Sequence, residues 1–168
     1  MTYVMKDLSE LVRPDWVTPE YWATLMSDVR TMDQIRADAK ANVDAYLAGD
    51  ESAYDRGGYP VILLYTIGKK SGKQVIAPLS FAQVEGGIML VGSTGGNPVD
   101  PLWAQNLKAN PQAWLQLKEQ KWEVNVKLLE GEERKEYWEK TVKQMPLWGV
   151  FQQRTDREFP LFRFIPKK

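Results

Sequence analysis

A chain of 168 residues with 22 basic and 22 acidic side chains has no formal net charge, so no overall field draws it to nucleic acid or to an anionic membrane. It contains neither cysteine nor histidine, which excludes disulfides, thiolate chemistry, a histidine general base and the usual zinc site. Its hydrophobic residues, 43% of the chain, fall in short runs, none near the ~20 apolar residues of a membrane span, and the expectation is one globular domain in the cytoplasm.

The N-terminal stretch MTYVMKDLSELVRPDW carries acids and lacks an apolar core, so it does not read as a signal peptide. In TPEYWATLMSDV, Thr18 is placed to cap a helix that starts at Pro19. MDQIRADAKANVDAYLAGD predicts a helix from Met32 to Leu47, with Ile35, Ala39, Val43 and Leu47 on one apolar stripe. GDESAYDRGG ends it. From Tyr59 the pattern changes. YPVILLYTI is short, branched and bounded by glycines, so it reads as a buried strand. QVIAPLSFAQV and GIMLVGST are strands joined by the turn EGG. In NPVDPLWAQNLKANP, Asn97 is the expected N-cap of a short helix, with Pro98 in its first turn. AWLQLKE and KWEVNVKLL alternate apolar and polar residues about a tight Gln120-Lys121, a second hairpin. GEERKEYWEKTVKQM is helical, with Tyr137, Trp138, Thr141 and Met145 at helical spacing, and FPLFRFI is a last strand. The order predicts an α+β fold: an N-terminal helical extension over residues 1–58, then, over 59–168, about six antiparallel strands curled into a small barrel.

Three stretches exceed what folding requires. The turn GKKSGK places Lys69, Lys70, Ser71 and Lys73 between two strands. Ammonium groups, a hydroxyl and free N–H groups there form either a cradle for an anion or a solvated hairpin loop. In GSTGGNP, a strand runs into Gly92, Ser93, Thr94, Gly95 and Gly96 just before a helix. Small residues there admit a ligand to the backbone, or the stretch is a plain glycine-rich loop; it is neither a Walker loop nor a dinucleotide fingerprint. In MPLWGVFQQRTDREFP, Met145, Trp148 and Phe151 recur every third residue, as an apolar substrate wall or as the core packing of a helix end. Arg154, Asp156, Arg157 and Glu158 read as a mixed-charge structural turn.

Together, LLYTIGKKSG, APL, STGG, DPLWAQNLKANP, EGEERKEYW and MPLWGVFQQRTDREFP, from Asn42 to Pro166, resemble in order and spacing the deazaflavin (F420)-dependent nitroreductase and quinone reductase family. The resemblance implies an FMN-binding-like split β-barrel and coenzyme F420. Lys69, Lys70, Ser71 and Lys73 would hold the anionic tail, Lys70 foremost. Ala77, Pro78 and Leu79 would flank the deazaflavin, and Gly92 to Gly96 would pass close to ring and linker. Trp103 and Asn106 would close the tail side. Met145, Trp148 and Phe151 would roof an apolar substrate: a quinone, enone or nitroaromatic. Four positions depart from the family pattern: Val75 for an arginine, Thr94 for a lysine, Asp100 for a histidine and Ala104 for a tyrosine. The phenols of the family's lid are absent too. The remaining proton donor near the ring would be Ser93 or water, and Ser93, as the catalytic side chain, would polarise a substrate carbonyl rather than donate a proton. Two alternatives stand beside this reading. One is a reductase of the same barrel using flavin mononucleotide. The other is a cofactor-free member that binds a hydrophobic metabolite or catalyses an isomerisation or cyclisation, with Asp100 as its acid–base group. Expected partners are a small hydrophobic molecule and a second copy in a homodimer, with no nucleic acid and no integral membrane association.

Overall fold

The computed structural model describes residues 11–15, 17–27 and 31–168; most of the stretch read for a signal peptide, residues 1–10 and 16, lies outside them. Helix α1 (Pro19–Ser27) begins where expected, with Thr18 Oγ1 accepting from the Tyr21 N–H at 3.2 Å. Helix α2 (Met32–Leu47) has the expected bounds. Its start is fixed by a reciprocal cap: Thr31 Oγ1 accepts from Gln34 N at 3.2 Å, and Gln34 Oε1 accepts from Thr31 N at 2.8 Å. The expected stripe is only partly inward. Val43 and Tyr46 are buried, whereas Leu47 is 50% exposed. Tyr46 takes the inward position because its hydroxyl donates to Val61 O at 3.0 Å and accepts from the Lys118 N–H at 2.8 Å.

The strands are β1 (Asp55–Arg56), β2 (Tyr59–Ile67), β3 (Gln74–Ser80), β4 (Ala82–Val84), β5 (Gly87–Val91), β6 (Ala113–Leu117), β7 (Gln120–Leu128) and β8 (Leu161–Pro166). They form one antiparallel sheet in the order β1-β2-β6-β7-β8-β5-β4, with β3 on the other side of β2. The two ends of this sheet meet through the chain itself. β3 pairs with β2 (Ile62 opposite Leu79), and after Phe81 β4 pairs with β5 (Ala82 opposite Met89). The run QVIAPLSFAQV, expected as one strand, is thus bent at Phe81 so that its halves serve opposite edges. This bend curls five strands and the β3–β4 strand into a split barrel, in line with the about six strands expected.

Alternation along the strands sorts the core. Ile62, Leu64, Leu90, Leu115, Val124, Phe162 and Phe164 fill the barrel together with Trp103, Ala104 and Leu107 of helix α3 (Leu102–Ala109). Val61, Leu63 and Tyr65 leave the opposite face of β2 and meet Val43 and Tyr46 of α2. β2 is therefore buried on both faces, which explains its unbroken apolar run. Met89, Val91 and Leu161 meet helices α4 (Gly131–Gln144) and α5 (Pro146–Gln152) through Met145 and Trp148. At about 25 cal/mol per Å² of apolar area removed from water, such burial is the main term holding the layers together.

Two local expectations are corrected. α3 starts at Leu102 after Pro101, not after Asn97. Pro98 and Pro101 disfavour the helical region at the residues before them, Asn97 (ψ 142°) and Asp100, and Asn97 Oδ1 accepts from the Val99 N–H at 3.0 Å. The second hairpin turns at Lys118-Glu119, not at Gln120-Lys121, with Lys118 at φ 54°. The bonds from its N–H to Tyr46 and from Gln116 Nε2 to its carbonyl (2.8 Å each) hold that conformation. The helix expected over GEERKEYWEKTVKQM is α4, which ends in its C-cap Met145, and Pro146 starts the separate short α5. Among the described residues, no helix is long and apolar enough to cross a membrane.

Candidate functional site

The turn between β2 and β3 is closed by its own backbone: Gly68 N–H donates to Lys73 O at 2.8 Å, and Gly72 N–H to Gly68 O at 2.9 Å. Gly72, at φ 67°, supplies the left-handed residue the reversal needs. Ser71 folds inward and accepts from the Lys73 N–H at 3.2 Å, so its hydroxyl shapes the turn. Lys69 is also committed. Its N–H donates to Asn106 Oδ1 at 3.0 Å and its Nζ to Gln105 Oε1 at 2.6 Å, both on α3. The ammonium groups of Lys70 and Lys73 are exposed and have no hydrogen-bond or ion-pair partner among the described residues. Of the four residues expected to cradle an anion, these two are available to do so.

The loop after β5 is held from behind by two arginines of the C-terminal segment. Arg157, whose side chain is 3% exposed, donates to Gly92 O (2.9 Å), Ser93 O (3.0 Å) and Asn97 O (2.8 and 3.0 Å), and its Nη1 pairs with Asp100 Oδ1 at 2.6 Å. Arg154 Nη1 donates to Gly95 O at 2.7 Å. The carbonyls thus point toward the guanidinium groups. Ser93 (φ −81°, ψ −43°) is followed by Thr94 (φ 44°) and Gly95 (φ 61°) in the left-handed region. That sequence of conformations turns consecutive N–H groups to one side, the shape of an anion or oxygen receptor. The N–H groups of Thr94 and Gly95 reach no backbone carbonyl among the described residues. Among the described residues, the buried Thr94 Oγ1 has no partner, and neither does the hydroxyl of the buried Ser93.

The glycines divide by role. A Cβ on Gly92 would lie 2.6 Å from Pro160 Cγ, and one on Gly96 would lie 2.9 Å from Phe151 O. Both are required by the protein's own packing. Gly95 has nothing within 4 Å of that position, and so leaves room for a ligand.

The other expected residues separate into surface and interior. Ala77 and Leu79 are half-buried on β3, packed against the barrel core, and Pro78 is buried. Pro78 lies on an edge strand, where its missing N–H costs no ladder bond. Trp103 is 6% exposed and packs on Phe162 at 5.7 Å between ring centroids. Asn106 is 0% exposed, donates to Thr66 Oγ1 at 3.1 Å and accepts from Lys69; it lies beneath the turn. Met145 (5%) and Trp148 (6%) are core residues between α4, α5 and the sheet, leaving Phe151 half-buried beside them. Of the expected apolar roof, Phe151 alone retains surface. Exposed apolar side chains occur instead on the segment after the glycine loop, at Val99 (57%) and Leu102 (47%), and at Met32 (39%), whose sulfur receives Asn97 Nδ2 at 3.7 Å. Asp100, the acid–base group of the cofactor-free alternative, has both oxygens committed: Oδ1 to Arg157 and Oδ2 to Lys108 at 2.9 Å. It is a structural counter-ion. The mixed-charge stretch has a structural task, since its Arg154 and Arg157 are buried and clamp the loop. The described residues hold no cluster of three or more metal-ligating side chains.

A sequence model of the F420H(2)-dependent quinone reductase family matches residues 34–165. The chain belongs to this family. The F420H(2)-dependent quinone reductases are oxidoreductases, and the match runs from the first turn of α2 to the penultimate residue of β8, through the barrel and the arginine segment. The chain is 28% identical over 108 residues to Rv3178 of Mycobacterium tuberculosis, covering 64% of this chain and 91% of that one. It is 34% identical over 71 residues to the F420H(2)-dependent quinone reductase Rv1261c of the same species, covering 42% of this chain and 48% of that one. Among solved structures, it is similar to an F420-H2 dependent reductase, FDR-A, with a TM-score of 0.57 and 37% identity over 62% of this chain and 93% of that one. A second, described as a domain-swapped dimer, gives a TM-score of 0.58 and 32% identity over 79% and 97%. These likenesses carry the split-barrel fold to this member of the family.

Proposed function

We propose that this protein is an F420H2-dependent reductase acting on a hydrophobic quinone, enone or nitroaromatic compound. The observation that carries it is the convergence on α3 of the two stretches the family uses. The lysine turn is bonded to Gln105 and Asn106, and the glycine loop is bonded through Arg157 to Asp100, just before that helix.

The residues present fit the cofactor. The unpartnered ammonium groups of Lys70 and Lys73 suit a phosphate or carboxylate tail. The open position at Gly95, the free N–H groups of Thr94 and Gly95 and the unpartnered Thr94 Oγ1 suit a flat head group with polar edges. The reduced deazaflavin, when bound, supplies the hydride. Lys70 and Lys73 bind the anionic end. Ala77 and Leu79 offer an apolar strand face. Ser93, with its hydroxyl free, hydrogen-bonds the acceptor oxygen of the substrate, and Arg157 holds the loop that carries it. Phe151, Val99 and Leu102 contact the apolar body of the substrate. A homodimer is the proposed assembly, in keeping with the dimeric relative.

The test is to titrate purified protein with F420 and follow its fluorescence, then to assay quinone reduction by F420H2. Binding in the micromolar range, weakened by salt and by Lys70→Ala, is expected. A protein that purifies yellow with bound flavin mononucleotide and ignores F420 would refute the reading.

A further inference from the structure

We infer that Asp100 is a positioning residue that locks the lysine turn and the glycine loop into one rigid unit; the inference rests on the reading of the site given above. The two stretches are not neighbours along the chain, yet one path of hydrogen bonds joins them. Lys69 Nζ donates to Gln105 Oε1 at 2.6 Å, and Gln105 Nε2 donates to the Asp100 carbonyl at 2.9 Å. Asp100 Oδ1 accepts from Arg157 Nη1 at 2.6 Å, and Arg157 grips Gly92, Ser93 and Asn97 by their carbonyls. Asp100 stands in the middle of this path, bonded through its backbone carbonyl toward the turn and through its side chain toward the loop.

The chemistry gives the carboxylate a particular task. Arg157 Nη1 is shared between Gly92 O and Asp100 Oδ1. A charge-assisted bond is roughly twice as strong as a neutral one, so the carboxylate fixes the plane of the guanidinium and with it the direction in which three loop carbonyls point. The Thr94 N–H, proposed to face the ligand, lies in the same peptide plane as the Ser93 carbonyl that Arg157 holds; the Gly95 N–H lies in the plane of the Thr94 carbonyl, which accepts from the Asn97 N–H at 3.1 Å. Asp100 touches no ligand in this arrangement; it acts through Arg157. Its second oxygen pairs with Lys108, which is 43% exposed and lies off the path.

A positioning role and a plain charge effect predict opposite signs. F420 is an anion, so removing a carboxylate near its cradle should tighten binding if charge alone matters. If Asp100 positions the loop, Asp100→Asn should weaken binding by about tenfold, the effect of one good charge-assisted contact. The experiment measures F420 affinity by fluorescence, and amide hydrogen exchange by mass spectrometry in the free protein, for the native chain, Asp100→Asn, Gln105→Ala and Lys108→Met. Asp100→Asn is expected to speed exchange in both 92–97 and 68–73. Gln105→Ala should speed it in 68–73 alone, and Lys108→Met in neither. Unchanged or tighter F420 binding by Asp100→Asn, or faster exchange confined to 92–97, overturns the inference. A native protein that does not bind F420 at all refutes the functional reading instead. The exchange pattern then still decides whether turn and loop are coupled, and Gln105→Ala decides it should Asp100→Asn not fold.

Discussion

Replacing Arg157 by methionine keeps the bulk and the apolar stem of the side chain but removes the donors to Gly92 O, Ser93 O and Asn97 O, leaving Arg154 on Gly95 O. Gly92 O and Ser93 O belong to buried residues, and Asn97 O to a half-buried one. Each orphaned buried carbonyl costs about 1–3 kcal/mol. Asp100 loses its partner at 2.6 Å but keeps Lys108 at 2.9 Å and is 20% exposed, so its share of the penalty is softened. Breaking a buried pair from one side typically costs about 3–5 kcal/mol, and the retained partner places Arg157→Met near the lower end, about 3 kcal/mol. A domain of this size has roughly 5–15 kcal/mol in total, so the variant should fold, with its thermal midpoint lowered by about 6–12 °C. Urea unfolding followed by tryptophan fluorescence measures the loss, with the m-value expected to stay constant. A loss under about 1 kcal/mol would mean that water satisfies those carbonyls and that the clamp is not what orders the loop. Arg157→Lys, which keeps the charge but not the planar fork, should recover part of the stability and little of the F420 affinity.

Lys70→Ala and Lys73→Ala should each weaken F420 binding by about tenfold and flatten its salt dependence, since each removes an unpaired ammonium; unchanged salt sensitivity would place the anion elsewhere. Gly96→Ala, at φ 90° with Arg154 Cβ and Phe151 O both at 2.9 Å, should destabilise by about 2–4 kcal/mol from strain and overlap together, measurable by urea unfolding. Met145→Ala should cost about 2–4 kcal/mol of stability because its side chain is core, whereas Phe151→Ala should mainly raise the KM for the substrate; the reverse pattern would put the roof back at Met145. Burial pushes the phenols of Tyr46 and Tyr65 above their ordinary value. Their folded-state pKa values are raised, so their stabilising contribution is intact below about pH 10 and is lost as pH rises through those values. Tyr46→Phe should lower stability at neutral pH by about 1 kcal/mol, by leaving the Lys118 N–H without its acceptor, and should reduce the alkaline loss; stability curves taken from pH 7 to 11 test both.

Much of this protein is written locally. The capping of α1 by Thr18, the bounds of α2, the glycine turns at 68–73 and 85–86, and the unbroken apolar run of β2 follow from spacing and turn chemistry within a few residues, and so they are legible in the sequence. The family motifs carried the barrel and the candidate turn and loop for the same reason: each is a short, ordered stretch. Tertiary packing alone decided which of their residues face outward. Trp103, Asn106, Met145 and Trp148 carry the right chemistry for a binding wall, yet burial against strands far along the chain turns them inward, while Val99 and Leu102 come to the surface. The arginines were least legible of all. Arg157 reaches carbonyls more than fifty residues earlier in the chain, and no periodicity or composition records a bond between segments that only barrel closure brings together. Local free energies choose helix, strand and turn; the long-range burial of charge, which costs so much unless it is paired, selected the one arrangement in which Arg157, Asp100 and the loop satisfy one another.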